Sequence, residues 1–466
     1  MTLVDQSDPR PVHFIGIAGA GMSGLAELLA RRGVRITGTD ANPDGAPDLA
    51  ALGIQVVAPN VERVQYARAV VYSSAIPASH PEMVAARALA IPLVRRAEAL
   101  AEAVGGGTLV GISGTHGKTT TTVMTTEALA AAGADPTGVV GGRVGLWGGN
   151  LRLGSDTYVV ESDEYDRSFL ALRPDVAVVL NVEADHLDIY RDLDDILGAF
   201  AQFVAPARAV VRCADDAGAM RLRVRTTSEI IAYSATLPGH APSAHAAEAR
   251  LVAHDLALDA DGARFDVHFD AEHVGHVRLA VPGVHNVRNA LAALGAGLAL
   301  GLTVSKMAPG LAAFRGVERR FQRLGNVRDI EIIDDYAHHP TEVEATIAAA
   351  RHAFPSRRLI VVFQPHLFSR TRDLHREFAA ALSNADVVFL CDIYGAREAP
   401  DASVTSAMIG DLLEVGIERW HGPRSAVTAA LVPFVHAGDA IITMGAGDVT
   451  RTGPELIAAM SSVSLA

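Results

Sequence analysis

Residues 111–120, with the sequence GISGTHGKTT, combine the residue types that bind phosphate groups. They follow a predicted strand (108–112) and precede a predicted helix (121–132). At such a turn, backbone N–H groups and the helix N-terminus contact phosphates, the lysine reaches β- and γ-oxygens, and the next hydroxyl holds Mg²⁺. The strict motif has glycine where this chain has Ile112, so the loop is a variant. It predicts an ATP site formed by Gly111, Gly114, Thr115, His116, Gly117, Lys118, Thr119 and Thr120.

Acidic residues follow the next predicted strand. Glu161 ends the strand at 157–160 and begins the segment ESDEYD. Carboxylates at the carboxyl end of a strand suit a Mg²⁺ ion, although a solvated acidic loop is the alternative. His186 follows the strand at 176–180 and should emerge nearby. Because Mg²⁺ prefers oxygen, His186 is either an additional ligand or a group that orients substrate. The predicted site for Mg²⁺, or for Mn²⁺ in its place, is Thr119, Glu161 and His186.

The first hundred residues contain a second glycine-rich turn. Gly19, Gly21 and Gly24 have the GxGxxG spacing after a predicted strand, and Asp40 ends the second strand, where a ribose-binding acid is typical. The pattern predicts a nucleotide-diphosphate site without specifying the nucleotide. NAD would be the usual ligand, but an ATP loop in the next domain does not suit a purely redox enzyme.

Two polar loops follow strands in the last third of the chain. One is DDYAHHPTE at 334–342, and the other is QPHLFSRTR at 364–372. Both leave strand ends, so their polar groups could converge on one crevice. The paired histidines at 338 and 339 suit either hydrogen-bonded structure or catalysis. Arg370 and Arg372 could clamp a carboxylate, because the forked guanidinium matches its geometry.

Composition limits the class of protein that could carry these motifs. The chain has 466 residues, a net charge of −13, 49% hydrophobic and 20% charged residues, which indicates two to four globular domains. The acidic balance argues against nucleic acid as a partner. The longest apolar run (290–304) is too short to span a bilayer, so no membrane partner is expected. Two distant cysteines and the lack of a signal-peptide pattern predict a cytoplasmic protein.

The alternation of strands and helices predicts an α/β fold with doubly wound parallel sheets. We predict three domains: a Rossmann-like domain at 1–106, a central P-loop ATPase-like domain with a parallel sheet at 107–322, and a second Rossmann-like domain at 323–466. The segment from about 244 to 281 alternates polar and apolar residues and should form antiparallel strands at the edge of the central sheet.

Taken together, the motifs resemble those of the ATP-dependent peptidoglycan amide ligases. The similar segments lie in all three domains. They are HFIGIAGAGMSG at 13–24, SSAI at 73–76, RRAE at 95–98, GTHGKTTT at 114–121, HNVRNA at 285–290, RRF at 319–321, DDYAHHPTE at 334–342 and GAGD at 445–448. Within the family, the set is most similar to that of the members that act on L-alanine.

The resemblance implies a reaction that joins L-alanine to the lactyl carboxylate of UDP-N-acetylmuramate through an acyl phosphate, with ATP converted to ADP and phosphate. It implies a UDP-sugar site at Gly16, Gly19, Gly21, Met22, Ser23, Asp40, Ser73, Ser74 and Arg95. ATP would lie between the central and C-terminal domains, and its additional contacts would be Asn286 and Asn289 near the adenine, Arg320 at the phosphates, and Asp335. The implied catalytic residues are Lys118, His186, His338 and Arg370, of which His338 and Arg370 would face the alanine.

Two departures from the family pattern stand out. No lysine lies between 118 and 306, so this chain lacks the carbamylated lysine that bridges metals in some relatives. Leu367 stands where the alanine-specific members often have arginine, which leaves Arg370 as the main candidate for the carboxylate clamp. His338 and His186 remain alternatives as the base for the amine, and the chain could be a monomer or a homodimer.

Three other functions remain open at this point. One is a recycling ligase that attaches the tripeptide L-Ala-γ-D-Glu-diaminopimelate to the same UDP-sugar; the others are a nucleotide-sensing regulator and an NAD oxidoreductase.

Overall fold

The computed structural model describes residues 3–5, 7–187, 189–237, 239–259, 261–396 and 398–462. The predicted α/β fold is confirmed, with parallel strands alternating with helices in each of three sheets. By internal packing the chain forms two compact units. The first comprises Met1–Leu256, Arg264–Arg278 and Val287–Phe314, and the second comprises Ala257–Ala263, Leu279–Asn286 and Arg315–Ala466. The predicted boundaries at 106 and 322 stay a prediction.

The N-terminal sheet has five strands in the described part of the chain, in the order β3-β2-β1-β4-β5, all parallel. The strands are β1 Val12–Ile15, β2 Ile36–Thr39, β3 Val56–Val57, β4 Ala69–Tyr72 and β5 Leu93–Arg95. The helices are α1 Ala20–Arg31, α2 Pro47–Ala50, α3 Val61–Val64, α4 Pro81–Ala88 and α5 Arg96–Val104. The order in which strands are added to the sheet reverses between β1 and β4, and this switch point is where ligands bind in doubly wound sheets.

The central sheet has ten described strands, in the order β15-β14-β13-β12-β11-β10-β6-β9-β7-β8. The strands are β6 Thr108–Ser113, β7 Thr137–Val144, β8 Gly149–Arg152, β9 Thr157–Glu161, β10 Val176–Val179, β11 Ala209–Cys213, β12 Glu229–Ala235, β13 Leu251–Asp259, β14 Gly262–Phe269 and β15 Glu272–Leu279. The helices are α6 Lys118–Ala131, α7 Leu193–Val204, α8 Ala217–Arg221, α9 Val284–Ala299 and α10 Val304–Ala313. Strand β6 lies between β9 and β10, so the ends of these three strands are neighbours.

The C-terminal sheet has the order β16-β17-β21-β18-β19-β20 among the described strands, with β16 antiparallel and the others parallel. The strands are β16 Gln322–Val327, β17 Ile330–Asp335, β18 Arg358–Phe363, β19 Val387–Cys391, β20 Glu418–Gly422 and β21 Asp439–Met444. The helices are α11 Pro340–Ala353, α12 Phe368–Leu382, α13 Ala407–Gly410, α14 Arg424–Leu431 and α15 Thr452–Ser462. Apolar clusters cover both faces, as expected for a parallel sheet.

Two helix boundaries differ from the predicted ones for physical reasons. Helix α6 begins at Lys118 rather than at residue 121, because Gly117, with φ +82°, turns the chain directly into the helix. The apolar run 290–304 is divided between α9 and α10, and Gly301, with φ +79°, lies between them. Across the described residues, no helix is long and apolar enough to cross a bilayer.

Candidate functional site

The loop between β6 and α6 has a backbone shape that only small residues allow. Gly114 has φ +147° and Gly117 has φ +82°, and both values lie in the region that favours glycine. A Cβ atom at Gly114 would lie 2.9 Å from Cβ of Leu180, and one at Gly117 would lie 2.9 Å from Oδ1 of Asn289. The loop therefore packs closely against the end of β10 and against α9.

Asn181, which follows β10, holds this loop in place. Its Oδ1 accepts a hydrogen bond of 2.7 Å from the backbone N–H of His116, and its Nδ2 donates to the carbonyl of His116 at 3.2 Å. The N–H of Thr115 donates to the carbonyl of Asn181, and Thr115 Oγ1 accepts from the N–H of Glu183 at 2.9 Å. The sequence analysis assigned no role to Asn181. The signal that could have identified it is its position just after β10, the strand that lies next to β6 in the sheet.

Lys118 is held at the loop by acceptor atoms of three residues. Its Nζ donates to the carbonyl of Gly114 at 2.7 Å, to that of Thr115 at 3.3 Å, and to both carboxylate oxygens of Glu164 at 2.8 and 3.0 Å. Burial opposes the charge of Lys118, but the carboxylates of Glu164 and Asp163 outweigh it and raise the pKa of the ammonium group. The lysine is therefore a fixed cation in the loop.

Glu164 is the second residue that the sequence analysis missed. Its side chain is almost fully buried, and burial raises its pKa to about 7 although Lys118 acts in the opposite direction. Nε2 of His186 lies 3.7 Å from Oε1 of Glu164, and the ring of His186 packs edge-on against Tyr165. The structure therefore places His186 beside the Lys118–Glu164 pair, and its role as a metal ligand stays a prediction.

Glu161 and Thr119 present oxygen atoms to one point at the carboxyl ends of β6 and β9. Thr119 Oγ1 lies 3.0 Å from each carboxylate oxygen of Glu161, whose Oε2 also accepts a 2.7 Å hydrogen bond from the N–H of Gly141. Hydroxyl and carboxylate oxygens are the ligands that Mg²⁺ prefers. The pair fits a Mg²⁺ ion, while the imidazole of His186 is the less usual ligand.

Four other predicted ATP contacts have contrasting environments. Gly111 lies inside β6, and a Cβ there would lie 2.8 Å from Phe203 and 3.2 Å from Pro174, so close packing accounts for this glycine. Thr120 is buried in the first turn of α6. Asn289 is buried against the loop at Gly117, whereas the amide of Asn286 donates to the carbonyl of Pro282 at 2.7 Å. Contacts of these residues with ATP stay a prediction.

The predicted UDP-sugar residues lie at the carboxyl ends of neighbouring strands. Asp40, after β2, accepts hydrogen bonds of 2.9 Å from the N–H groups of Ala18 and Asn42, so it orders the glycine turn that follows β1. Arg95 ends β5 and pairs with Asp166. The other predicted residues follow β1 or β4: Gly16, Gly19, Gly21, Met22, Ser23, Ser73 and Ser74. The sheet therefore brings the predicted UDP-sugar residues to one edge, and their contact with a UDP-sugar stays a prediction.

Of the predicted C-terminal residues, His338 and Arg370 follow the ends of β17 and β18, whereas Arg320 precedes β16. The guanidinium of Arg320 lies 5.1 Å from the ring centre of Tyr336 and 3.6 Å from Oε1 of Glu342. Nδ1 of His338 lies 3.1 Å from Oε2 of Glu342. Arg370 is buried on α12, and Leu367, just before this helix, has φ +73°. A positive φ at a bulky residue is strained and is often found at functional sites.

Asp335, at the end of β17, is a buried carboxyl group with a perturbed pKa. It accepts hydrogen bonds of 2.7 Å from the N–H groups of Phe321 and Ala337. Burial raises its pKa from the ordinary 3.8 to about 6, against the opposite effect of Arg320. Below pH 3.8 the carboxyl is protonated in both the folded and the unfolded chain. Between pH 3.8 and about 6, the carboxyl of Asp335 is ionised in the unfolded chain but still protonated in the folded protein. The free energy of unfolding therefore falls as the pH rises through this range.

We expect Asp335→Asn to lack this pH-dependent loss. The side-chain amide of asparagine has only one oxygen, so it leaves one of the two backbone N–H groups, of Phe321 or Ala337, without its acceptor. This lowers the free energy of unfolding by the same amount at every pH. The thermal midpoint of the variant relative to that of the unmodified protein should therefore rise from pH 4.5 to pH 6.5 and then level off. A shift of about two pKa units corresponds to ~3 kcal/mol. Differential scanning fluorimetry across this range measures the difference, and a pH-independent difference would contradict the assignment.

Comparison with known proteins identifies the family. Profiles of three domains match in chain order: "Mur ligase family, catalytic domain" at residues 11–107, "Mur ligase middle domain" at 112–297, and "Mur ligase, glutamate ligase domain" at 319–447. A UDP-N-acetylmuramate–L-alanine ligase from Salinibacter ruber is 40% identical over 96% of this chain and 94% of that protein. The chain belongs to the Mur ligase family. The family resemblance predicted from the motifs is confirmed.

Other Mur ligases extend this similarity along nearly the whole chain. A UDP-N-acetylmuramate–L-alanine ligase from Kineococcus radiotolerans is 43% identical over 96% of this chain and 95% of that protein. The crystal structure of a UDP-N-acetylmuramate–alanine ligase from Thermotoga maritima matches with a TM-score of 0.81 and 26% identity, over 97% of this chain and 99% of that one. A murein peptide ligase from Psychrobacter arcticus shares the fold, with a TM-score of 0.71, 23% identity, and coverage of 98% of this chain and 100% of that one.

Proposed function

We propose that this Mur ligase joins L-alanine to the lactyl carboxylate of UDP-N-acetylmuramate in the cytoplasm, with conversion of ATP to ADP and phosphate. The observation that carries the proposal is the similarity, over nearly the full length, to proteins named for this activity. The position of Lys118 in a glycine-rich loop of the phosphate-binding kind is consistent with it. The proposed reaction would belong to the synthesis of peptidoglycan precursors. The recycling ligase is the alternative, and the murein peptide ligase resembles this chain less in overall fold similarity.

The chemistry would proceed in two steps. The lactyl carboxylate attacks the γ-phosphorus of ATP, which gives an acyl phosphate and ADP. The neutral amine of L-alanine then attacks the acyl carbon, and phosphate leaves. The first step brings several negative charges together, so a fixed cation such as Lys118 would stabilise its transition state.

The remaining residues have roles consistent with their environments. Thr119 and Glu161 would hold Mg²⁺, which when bound neutralises charge on the phosphates. Nδ1 of His338 donates to the carbonyl of Tyr336 at 3.0 Å and lies 3.1 Å from Oε2 of Glu342, so Nδ1 carries the hydrogen and Nε2 is the nitrogen that would receive a proton from the alanine amine. His186 remains the alternative base. The buried Arg370 would bind the alanine carboxylate.

Phosphate release tests the proposal directly. The purified chain is incubated with ATP, Mg²⁺ and UDP-N-acetylmuramate, first without an amino acid, then with L-alanine, and then with L-Ala-γ-D-Glu-diaminopimelate. We expect release that depends on L-alanine. Release with the tripeptide alone would assign the recycling activity instead, and release independent of both would indicate a nucleotide-hydrolysing regulator. An NAD-dependent absorbance change at 340 nm with alcohol substrates would support the oxidoreductase.

Glycine should be a poor but detectable substrate in the same assay. Loss of a single methyl contact costs ~1–3 kcal/mol, so we expect kcat/KM for glycine to be about 10–200-fold below that for L-alanine. Competition between the two amino acids, with the products separated by mass, gives the ratio. Equal values would mean that the site has no pocket shaped for the methyl group.

A further inference from the structure

A turn with an unusual backbone lies between α10 and β16 and carries the two arginines at 319 and 320. Arg319 has φ +60° and Phe321 has φ +49°, so both adopt the left-handed conformation that favours glycine. The residue between them is Arg320, the predicted phosphate contact. Such a conformation persists only where the surrounding structure holds it, and it is common at active sites. The contacts of this turn therefore determine how Arg320 is presented.

The side chain of Arg319 fixes the turn to the C-terminal sheet. Its Nε donates to Oδ2 of Asp334 at 3.1 Å, its Nη2 donates to the carbonyl of Gly445, and its guanidinium lies 4.8 Å from the ring centre of Tyr336. The backbone carbonyl of Arg319 also accepts a 2.7 Å hydrogen bond from the N–H of Tyr336. A planar guanidinium can make these side-chain contacts at the same time, because its donors form a rigid fork.

Asp334, near the end of β17, is the buried acceptor of this arrangement. Its side chain is only 2% exposed. Oδ1 accepts a 2.6 Å hydrogen bond from Oγ1 of Thr443, and Oδ2 accepts one of 2.8 Å from Oγ1 of Thr450. Hydrogen bonds and a paired cation are what a buried carboxylate requires. Asp334 is therefore fixed in place, and it fixes Arg319 in turn.

The Arg319–Asp334 pair connects three of the segments that the sequence analysis singled out. Arg319 belongs to the segment RRF, Asp334 to DDYAHHPTE, and Gly445 to GAGD. The sequence gave no role to Arg319, to Asp334 or to the GAGD segment. In the structure these residues contact one another, and the position that they hold is the backbone on either side of Arg320.

Arg320 lies against the same aromatic ring as Arg319. Its guanidinium is 5.1 Å from the ring centre of Tyr336 and 3.6 Å from Oε1 of Glu342. The side chain of Arg320 is 28% exposed, so a ligand can reach it while it rests on the ring. Because Arg319 and Arg320 are consecutive, a change in the backbone of the turn moves the guanidinium of Arg320.

We propose that Arg319, held by Asp334, is a positioning residue that presents Arg320 to the phosphate groups of ATP. The inference rests on the proposed function, in which Arg320 contacts these phosphates. Arg319 does not act on the substrate itself, because its guanidinium is engaged by Asp334 and Gly445. A displacement of about 1 Å at a reacting site can cost about 10²-fold in rate, so an indirect contact of this kind has a large effect.

A double-mutant cycle tests whether Arg319 acts through Arg320. The variants are Arg319→Gln, Arg320→Gln and the double variant, and alanine-dependent phosphate release gives kcat and KM for ATP. We expect each single variant to lower kcat/KM for ATP by about 10–100-fold. The double variant should be no worse than Arg320→Gln, because the two residues act as a unit. Losses that multiply in the double variant would overturn the proposal, and so would unchanged kcat and KM in Arg319→Gln.

The matched control is Arg358→Gln, because Arg358 forms a pair of the same kind at the other end of the C-terminal sheet. Its Nε and Nη2 lie 3.0 and 2.8 Å from the carboxylate oxygens of Asp439, whose side chain is 4% exposed. Its guanidinium lies 4.9 Å from the ring centre of Phe434. Arg358→Gln should lower the thermal midpoint about as much as Arg319→Gln and leave kcat/KM for ATP unchanged. Equal losses of kcat/KM in the two variants would mean that Arg319 only stabilises the fold.

Arg319→Lys extends the test in case Arg319→Gln does not fold. Lysine keeps a positive charge beside Asp334, but its ammonium group lacks the planar fork, so kcat/KM for ATP should still fall. An unchanged value in a folded Arg319→Lys protein would overturn the proposal.

Calorimetry with a non-hydrolysable ATP analogue and Mg²⁺ measures the same cycle without turnover. We expect the analogue to bind more weakly to Arg319→Gln and to Arg320→Gln, and no more weakly to the double variant than to Arg320→Gln. If these affinities follow the cycle while the unmodified protein releases no phosphate with L-alanine, the proposed activity fails and the role of Arg319 stands. If release depends on L-alanine but the two losses of affinity multiply, the role of Arg319 fails and the activity stands.

Discussion

Lys118→Ala is expected to lower alanine-dependent phosphate release by about 10²–10³-fold or more, while UDP-N-acetylmuramate still binds. The reason is electrostatic. Lys118 is a fixed cation, bonded to the carbonyls of Gly114 and Thr115, and no other side chain among the described residues donates to these two carbonyls. The residues proposed to bind the UDP-sugar follow strands of the N-terminal sheet, so calorimetry with UDP-N-acetylmuramate should give an unchanged affinity.

The chain contains its own matched control, because Lys306 is the other of its two lysines and is exposed on α10. Lys306→Ala should retain full activity. Since Lys118→Ala leaves Glu164 buried without its cation, the double variant Lys118→Ala/Glu164→Gln should regain thermal stability but not activity. Loss of UDP-sugar binding in Lys118→Ala, with the fold intact, would contradict the domain assignment, and normal activity would contradict the loop assignment.

Glu161→Gln is expected to weaken divalent-ion binding and to reduce ligase activity by more than about 100-fold. The amide can still accept the hydrogen bond from Gly141, so the local fold is retained, but the negative charge beside Thr119 is lost. Changing an outer partner of a metal ligand typically costs about 10–100-fold, and loss of a ligand should cost at least as much. Paramagnetic resonance of Mn²⁺ in the presence of ATP measures ion binding separately from turnover.

The control for this variant is Glu418→Gln, at an exposed carboxylate on β20. It should match the unmodified protein in both Mn²⁺ binding and activity. If Glu161→Gln binds Mn²⁺ with unchanged affinity, the oxygen pair at Thr119 and Glu161 is not the ion site. If activity recovers fully at high Mg²⁺, the role of Glu161 is confined to ion affinity.

The sequence by itself determined the α/β class and the position of the phosphate loop, because both depend on residues close together in the chain. Strand and helix periodicity, and the glycines at 114 and 117, are local signals. The order of motifs along the chain was also sufficient to predict the family. The predicted antiparallel edge at 244–281 corresponds to β13–β15 for the same reason, since the alternation lies within each strand.

The tertiary structure decided which side chains meet at the strand ends. Lys118 and Glu164 are 46 residues apart, and Asn181 lies 65 residues beyond His116, so only the adjacency of β9, β6 and β10 brings them together. Among the acids at 161–166, the position at the strand end indicated Glu161, which faces Thr119, but nothing local indicated that Glu164 would pair with Lys118. Likewise, a glycine at 111 suggested a phosphate contact, whereas its packing against Phe203 depends on a distant helix.

The edge strands of the central sheet show the same division. Regular alternation would separate His273 from His276, which are three residues apart, whereas a ring nitrogen of each lies within 3.7 Å of Oδ1 of Asp266 on the neighbouring strand. Sequence periodicity describes which side of a regular strand a residue occupies, but backbone irregularities and strand order are set by long-range packing, and these determine which functional groups become neighbours.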